Sequence, residues 1–351
     1  MKKPKSESGD GAIYTLAQSR TTKPRIDGKV VTGTGSNLTD GITAEGRGKR
    51  KFITVQLTLS LIDVAKAKKD KKMEKKLWNS FHCQRKITES NGVIYGNYCK
   101  NRMCTVCMAI RKADIINRYY PVLSLWEQPQ FVTLTIKSCY AKRLPFMMDK
   151  MIRAFQLIID RTRKRYERGN GLKLIGIRSL ECNFNPIERT YNPHFHVIVP
   201  NKEMADLLKR EWLAQWPRKY AQHWCQKIIP VYDIKLNLIE VIKYGSKIFT
   251  EPEMKKKAKG QKGNPKIYAR ALYNILKAMN NRRLFDRFGF NVSTATIEPT
   301  GAKVITDFQE MIYIPKPHDW INKGTMERLT NFAPPADILD LLRNRVDSEK
   351  Q

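Results

Sequence analysis

The sequence predicts an α+β fold, an antiparallel sheet with helices on one face, preceded by a small cysteine-bearing module. Three observations predict it. Phe131-Val132-Thr133-Leu134-Thr135-Ile136 places β-branched and large apolar residues at the alternation of a strand. Residues 172–184 and 193–199 read as two more strands, separated by the turn formers Asn185, Pro186, Glu188 and Arg189. Between them, residues 144–168 carry Met147, Met151, Phe155 and Ile158 at helical spacing. The order is therefore strand, helix, strand, strand. A helix over residues 202–216, a strand over 228–234 and a further helix follow. Short connections between consecutive strands favour antiparallel pairing.

Charge narrows the partners. Among 351 residues, 65 Lys and Arg face 33 Asp and Glu, a formal net charge of +32. Such an excess favours nucleic acid, because each neutralised phosphate releases counterions. No apolar run approaches the length of a membrane span, and no positive-then-apolar segment follows Met1. The expectation is a cytoplasmic protein that binds DNA and no membrane. Seven cysteines without an export signal point to metal ligands and free thiols.

Residues 1–50 are rich in Gly, Ser, Thr and Lys, lack a hydrophobic period and read as a disordered basic tail. The basic end of that tail, Arg47 to Lys51, reads equally as a solvated charge run or as a non-specific DNA contact. Residues 51–125 read as basic helices and a zinc-binding module. In that module Cys104-Thr105-Val106-Cys107 has the C-x2-C spacing with which two thiolates grip one zinc ion. Cys83 and Cys99 complete a four-ligand structural site, with His82 as an alternative ligand. Cys139, Cys182 and Cys225 lie in or beside apolar segments and are expected to be small buried hydrophobes.

The chemistry gathers on Tyr191-Asn192-Pro193-His194-Phe195-His196-Val197-Ile198-Val199. Alternation in a strand sends His194 and His196 to one face and Phe195, Val197 and Val199 to the other. Two imidazoles so placed chelate one divalent ion once a third ligand reaches in. Glu181, on the preceding strand of the hairpin, is the first candidate, and Glu188 in its loop is the second.

The helix over residues 237–249 sorts Leu238, Val241, Ile242, Ile248 and Phe249 to one side. Glu240, Lys243, Tyr244 and Lys247 share the other, so a carboxylate, a phenol and ammonium groups form one patch. A phenol with an intrinsic pKa near 10 becomes a nucleophile only beside a cation or a base. Lys247 and Glu240 offer one of each.

The order FVTLT, NPHFHVIV, EVIKYGSK, preceded by C-x4-C-x2-C, resembles the rolling-circle replication initiators of small plasmids, within the HUH endonuclease superfamily. The resemblance spans roughly residues 83–289. It implies an HUH-like nicking-joining domain over residues 126–290 and a C-terminal extension over 291–351. It also implies one Mg2+ or Mn2+ held by His194, His196 and Glu181, and attack by Tyr244 on a phosphate at the double-strand origin. A 5′-phosphotyrosine and a 3′-OH primer would result. Glu240 resembles the residue that activates water for the closing step, and the implied partners are origin DNA and the host helicase and polymerase. Two departures are Asn192, where histidine is also common, and Gly245, which weakens the helix after Tyr244.

The basic stretch 255–266 and the helix over 267–283, with Arg282 and Arg283 at its end, read with Lys243 as a phosphate-tracking surface. The amphipathic segment 336–346 suits either a cap on the domain or a homodimer contact. Two alternatives remain: another HUH enzyme, a relaxase or single-strand transposase, told apart by genetic context; and a non-catalytic zinc-containing nucleic-acid-binding protein, which binds without cleaving.

Overall fold

A computed structural model describes residues 29–31, 36–37, 41–242, 267–292 and 303–346. Strands β1 (Lys29–Val31) and β2 (Ser36–Asn37) precede helices α1 (Gly41–Ala67) and α2 (Lys71–Phe81). The Asp70 carboxylate starts α2 by accepting from the Met73 amide at 3.0 Å, which satisfies a donor that the helix itself leaves open. A hairpin, β3 (Lys86–Ser90) and β4 (Val93–Gly96), leads into α3 (Thr105–Leu123). Next come β5 (Gln130–Thr135), α4 (Leu144–Glu167), β6 (Gly176–Asn185), β7 (Thr190–Val199), α5 (Lys202–Gln215), β8 (Lys227–Pro230) and α6 (Ile234–Ile242). The last part holds β9 (Ile267–Tyr268), α7 (Ala269–Met279), β10 (Phe285–Phe288), β11 (Lys303–Ile305), β12 (Gln309–Ile314), β13 (Asp319–Asn322), α8 (Ala336–Arg343) and β14 (Arg345–Val346).

The fold is α+β with antiparallel sheets. The central sheet runs β10-β6-β7-β5-β8, every neighbouring pair antiparallel. Alternation gives it two faces. Val132, Leu134, Leu180, Phe195, Val197 and Val199 point to one, where α4, α5 and α7 bury Met151, Phe155, Trp212 and Ile275 against them. Each large side chain so buried contributes about 1.5–3 kcal/mol.

The expectation of helices on one face alone is corrected. On the opposite face Phe131, Ile177 and Ile198 form an apolar end, and α3 with Tyr119 and Leu123 and α6 with Leu238, Val241 and Ile242 cover it. An apolar patch of that kind must be removed from water, and only one end of this face is polar enough to stay open. The strand expected over residues 228–234 ends at Pro230, and Ile234 opens α6 instead. Asp233 explains the change: its carboxylate accepts from the Leu236 amide at 2.9 Å and starts the helix.

The tail expected over residues 1–50 is also revised, because α1 begins at Gly41. Arg47 and Lys51 are 5% and 1% exposed, so neither is a solvated charge. Arg47 donates to Gln84 Oε1 at 2.6 Å, and Lys51 Nζ donates to the carbonyls of Phe81 and Cys83 at 2.8 and 2.6 Å. Those acceptors offset the desolvation of the buried cations. Finally, β12 pairs with β3, and a second sheet runs β13-β12-β3-β4-β2. The segments expected to be an N-terminal module and a separate C-terminal extension thus share one sheet, and Ile338 and Leu342 of α8 pack with Leu57 and Leu61 of α1. Helix α7 lies between the two cores, giving Ile275 to one and Leu272 and Tyr273 to the other.

Candidate metal centres

The four-residue turn between Asn185 and Thr190 fixes the register of β6 and β7 so that Glu181 faces His194 and Ser179 faces His196. Side chains at these positions share the sheet face that carries α6. Glu181 Oε2 stands 3.8 Å from His194 Nε2 and 3.6 Å from His196 Nε2. The carboxylate is 2% exposed and the two rings 6% and 12%, so the donors converge where little water reaches, with His196 the most exposed of the three.

The rings are held from behind. His194 Nδ1 lies 3.0 Å from the Asn192 carbonyl, and His196 Nδ1 lies 3.3 Å from Thr133 Oγ1. A carbonyl only accepts, so His194 carries its proton on Nδ1 and presents the Nε2 lone pair toward Glu181. The Phe131 ring packs against His196 at 4.9 Å between centroids. Asn192 contributes a second time through its side chain, which accepts from Thr135 Oγ1 at 3.0 Å and donates to the Ile136 carbonyl at 3.3 Å. Gln226 then extends the sheet, accepting from the Thr135 amide at 2.8 Å and donating to its carbonyl at 3.2 Å. The sequence gives no sign that Thr133, Asn192 and Gln226 are positioning residues, since only the pairing of β5 with β7 and with β8 reveals whom they touch. Glu188 is exposed on the turn and lies outside the cluster.

A second cluster gathers Cys83, Cys99, Cys104 and Cys107, with all four sulfurs within 4.8 Å of one another. Cys83 follows α2, Cys99 follows β4, Cys104 caps α3 and Cys107 lies in its first turn. Sγ of Cys107 is 3.5 Å from that of Cys83 and 3.7 Å from that of Cys99. Four thiolates 2.3 Å from a central ion would stand about 3.8 Å apart, so the spacing fits a tetrahedral metal site. Hydrogen bonds from Cys104, Cys107 and Cys83 hold the Cys99 thiol well below its ordinary value. The amides of Cys99 and Asn101 aim at Sγ of Cys83 and Cys99, each at 3.4 Å. His82 is not part of the group; its ring stacks on Trp78. Burial pushes the neighbouring Lys51 ammonium down to about 8, with the nearby cysteines opposing the shift.

Of the other expected site residues, Glu240 sits half-buried on α6, the helix whose Leu238, Val241 and Ile242 pack on the histidine-bearing face. Lys243, Tyr244 and Lys247, together with the basic stretch 255–266, lie outside the described residues. Arg282 is committed within the fold: it donates to Asp149 through Nε at 2.7 Å and Nη2 at 2.6 Å, and also to the carbonyls of Pro145 and Ala278. Arg283 is 75% exposed and pairs only loosely with Asp286 at 3.2 Å. Cys225, expected to be buried, is exposed in a short turn, whereas Cys139 and Cys182 are half-buried.

Residues 91–286, more than half of the 351, match the family described as Replication protein, and the chain belongs to that family. It is similar to the "Protein rep" of Bacillus amyloliquefaciens, 28% identical over 150 residues that cover 40% of this chain and 41% of that one. It is also similar to the "Protein rep" of Streptococcus pneumoniae serotype 2 (strain D39 / NCTC 7466), 26% identical over 151 residues covering 39% and 44%. The "Protein rep" of Staphylococcus aureus is 31% identical over 143 residues, covering 37% and 60%. The chain thus matches less than two thirds of the length of these relatives. No solved structure matches it. No helix among the described residues is long and apolar enough to cross a membrane.

Proposed function

We propose that this protein is a plasmid rolling-circle replication initiator of the HUH type. It binds the double-strand origin and nicks one strand by transesterification through Tyr244. The observation that carries the reading is the convergence of Glu181, His194 and His196 on the sheet face over which α6 lies, the helix that leads toward Tyr244. Membership of the Replication protein family supports the same reading.

Two imidazole nitrogens and one carboxylate oxygen suit a borderline-hard divalent ion, and we assign Mg2+ or Mn2+ to that group. When bound there, such an ion supplies Lewis-acid stabilisation to a phosphodiester. The chain's own residues do the rest. The Asn192 carbonyl and Thr133 keep the two rings from turning, which fixes the donor atoms before substrate arrives. Oη of Tyr244 bonds to the scissile phosphorus while the bond to the 3′ oxygen breaks, giving a 5′-phosphotyrosine and a 3′-OH that takes up a proton. Lys247 favours the phenolate and Glu240 accepts its proton. The link conserves the phosphodiester, so the strand is rejoined at termination without ATP, and Glu240 activates water for the last cleavage. The 3′-OH primes synthesis by the host polymerase with the host helicase, in the cytoplasm. The four cysteines, by their sulfur spacing, take a structural Zn2+ and no part in the chemistry.

The test is incubation with a labelled supercoiled plasmid or single-stranded oligonucleotide carrying the cognate origin, in Mn2+ and in EDTA, for wild type and Tyr244→Phe. The expected result is a metal-dependent covalent adduct that the variant lacks. Binding without an adduct in either condition would replace this reading with a non-catalytic one.

A further inference from the structure

Between the cysteine loop, α1, α2 and α7 lies a cavity of about 340 Å3 that reaches the edge of β6 at Glu181 and Cys182. Its interior is apolar, formed by Leu57, Met73, Leu272, Ile275 and Met279. Its mouth is not. Asn79, Lys100 and Asn281 line it, all three exposed, and their side chains make no hydrogen bond or ion pair among the described residues. Lys100 and Asn281 are presented by backbone in the left-handed region, with φ of 54° and 61°.

The edge of β6 matters for access. The pairing of β10 with β6 stops at Phe285 opposite Ser179, and among the described residues no strand covers the outer edge of β6 from Glu181 onward. A nucleic-acid strand seated on the Glu181, His194 and His196 face has there a short path over the sheet edge into the cavity. The volume is at the lower end of the range for small-ligand sites, about 300–1,000 Å3, which suits one nucleotide and excludes a duplex. Apolar walls accept the two faces of a planar base, amides pair with its donor and acceptor edge, and an ammonium takes its phosphate.

We propose that this cavity holds one unstacked nucleotide of the strand being processed, its base among Met73, Leu272 and Met279, its edge read by Asn79 and Asn281, and its phosphate met by Lys100. The inference rests on the strand-processing function above. The cysteine module then forms one wall of the substrate site, which gives a DNA-processing enzyme a reason to carry a structural metal beside its sheet.

The experiment uses the full chain carrying Tyr244→Phe, which cannot form the covalent adduct, with no chelator so that the cysteine site keeps its ion, and a fluorescein-labelled single-stranded 20-mer of mixed sequence. The triple variant Asn79→Ala/Lys100→Gln/Asn281→Gly is compared with Lys164→Gln, a single exposed charge removed from α4. Glycine keeps the left-handed backbone at position 281. The expected result is a loss of single-strand affinity of about tenfold or more beyond the control, the scale of one base contact. Equal affinities would overturn the proposal. The four deoxymononucleotides form a second arm: competition by a mononucleotide as effective as the strand itself would replace the strand site with a free-nucleotide site. A third arm irradiates wild type with a 5-iodouracil-substituted 20-mer and maps the adducts, so a poorly folded variant cannot decide the outcome. Adducts on peptides containing Met73 or Met279 support the cavity, and adducts only elsewhere overturn it. Nicking of origin DNA by wild type, followed in parallel in Mn2+, separates failure of this inference from failure of the function it rests on.

Discussion

The main-chain carbonyl of Asn192 faces Nδ1 of His194 at 3.0 Å, so a residue one side-chain period earlier on β7 decides which ring nitrogen of His194 is left to bind. His196 has its own counterpart in Thr133, on the neighbouring strand at 3.3 Å. Because the Asn192 contact is backbone, no substitution removes it cleanly, whereas the Thr133 contact is testable. Thr133→Val keeps the β-branched shape and deletes the hydroxyl. It is expected to weaken Mn2+ binding by about 10- to 100-fold in isothermal titration, with His194→Ala abolishing it. Unchanged Mn2+ affinity in Thr133→Val would remove Thr133 from the positioning role.

The cysteine cluster makes a stability prediction. Elemental analysis should find one zinc per chain in the wild type and none in Cys104→Ser. Since a structural ion's binding energy is folding energy, losing even ~3 kcal/mol of it lowers the Tm of a chain of this length by about 4 °C. A Cys104→Ser protein that melts with the wild type would mean that the four thiols pack without an ion.

Asp70 predicts a pH dependence. Its carboxylate accepts from Lys277 Nζ and Tyr273 Oη, both at 2.7 Å, and these bonds, that of Lys277 foremost, hold its pKa down to about 2. The ordinary carboxylate value is higher, so between the two the unfolded chain binds more protons and stability rises with pH. The contribution is complete above the ordinary carboxylate value, near pH 4, and is lost as the pH falls through about 2. Denaturant melts of wild type and Asp70→Asn should therefore converge as the pH falls across that window. A constant difference down to pH 2 would show that Asp70 is not the titrating group.

Adjacent arginines should behave differently. Arg282→Ala removes a bidentate pair with Asp149 and two carbonyl contacts, at a cost of about 1–2 kcal/mol in stability. Arg283→Ala, 75% exposed, should change stability by less than about 0.5 kcal/mol and lower the salt slope of DNA binding by about 1. Reversed effects would exchange the structural and DNA-facing assignments.

Much of the site is local in sequence. His194 and His196 share a face by strand alternation alone, and the turn formers between residues 185 and 190 are enough to bring Glu181 opposite His194. The cysteines carry their own spacing signal. What the sequence hides is partnership over distance. Arg47 and Lys51 look like solvated charges because the acceptors that let them be buried, Gln84 and the carbonyls of Phe81 and Cys83, are far along the chain. The second helical layer is hidden for the same reason, since α3 follows the cysteines directly and nothing in its own pattern says that Tyr119 and Leu123 meet α6. The tethering of Arg282 by Asp149 is equally invisible, because an arginine's composition signal is the same whether it faces phosphate or carboxylate.

The pairing of β3 with β12 also sets a schedule for the protein's own synthesis. Ser90 closes β3, and Gln309, where its partner begins, is translated about 220 residues later. At the usual 5–20 residues per second, that interval is roughly 10–45 s on the ribosome. Until then the edge of β3 that β12 covers has no partner, while the strands that carry the histidines have already been translated. A chain finished in this order has its histidine-bearing strands made before its outer sheet is closed, so the last strands to appear act as the seal on a newly made molecule.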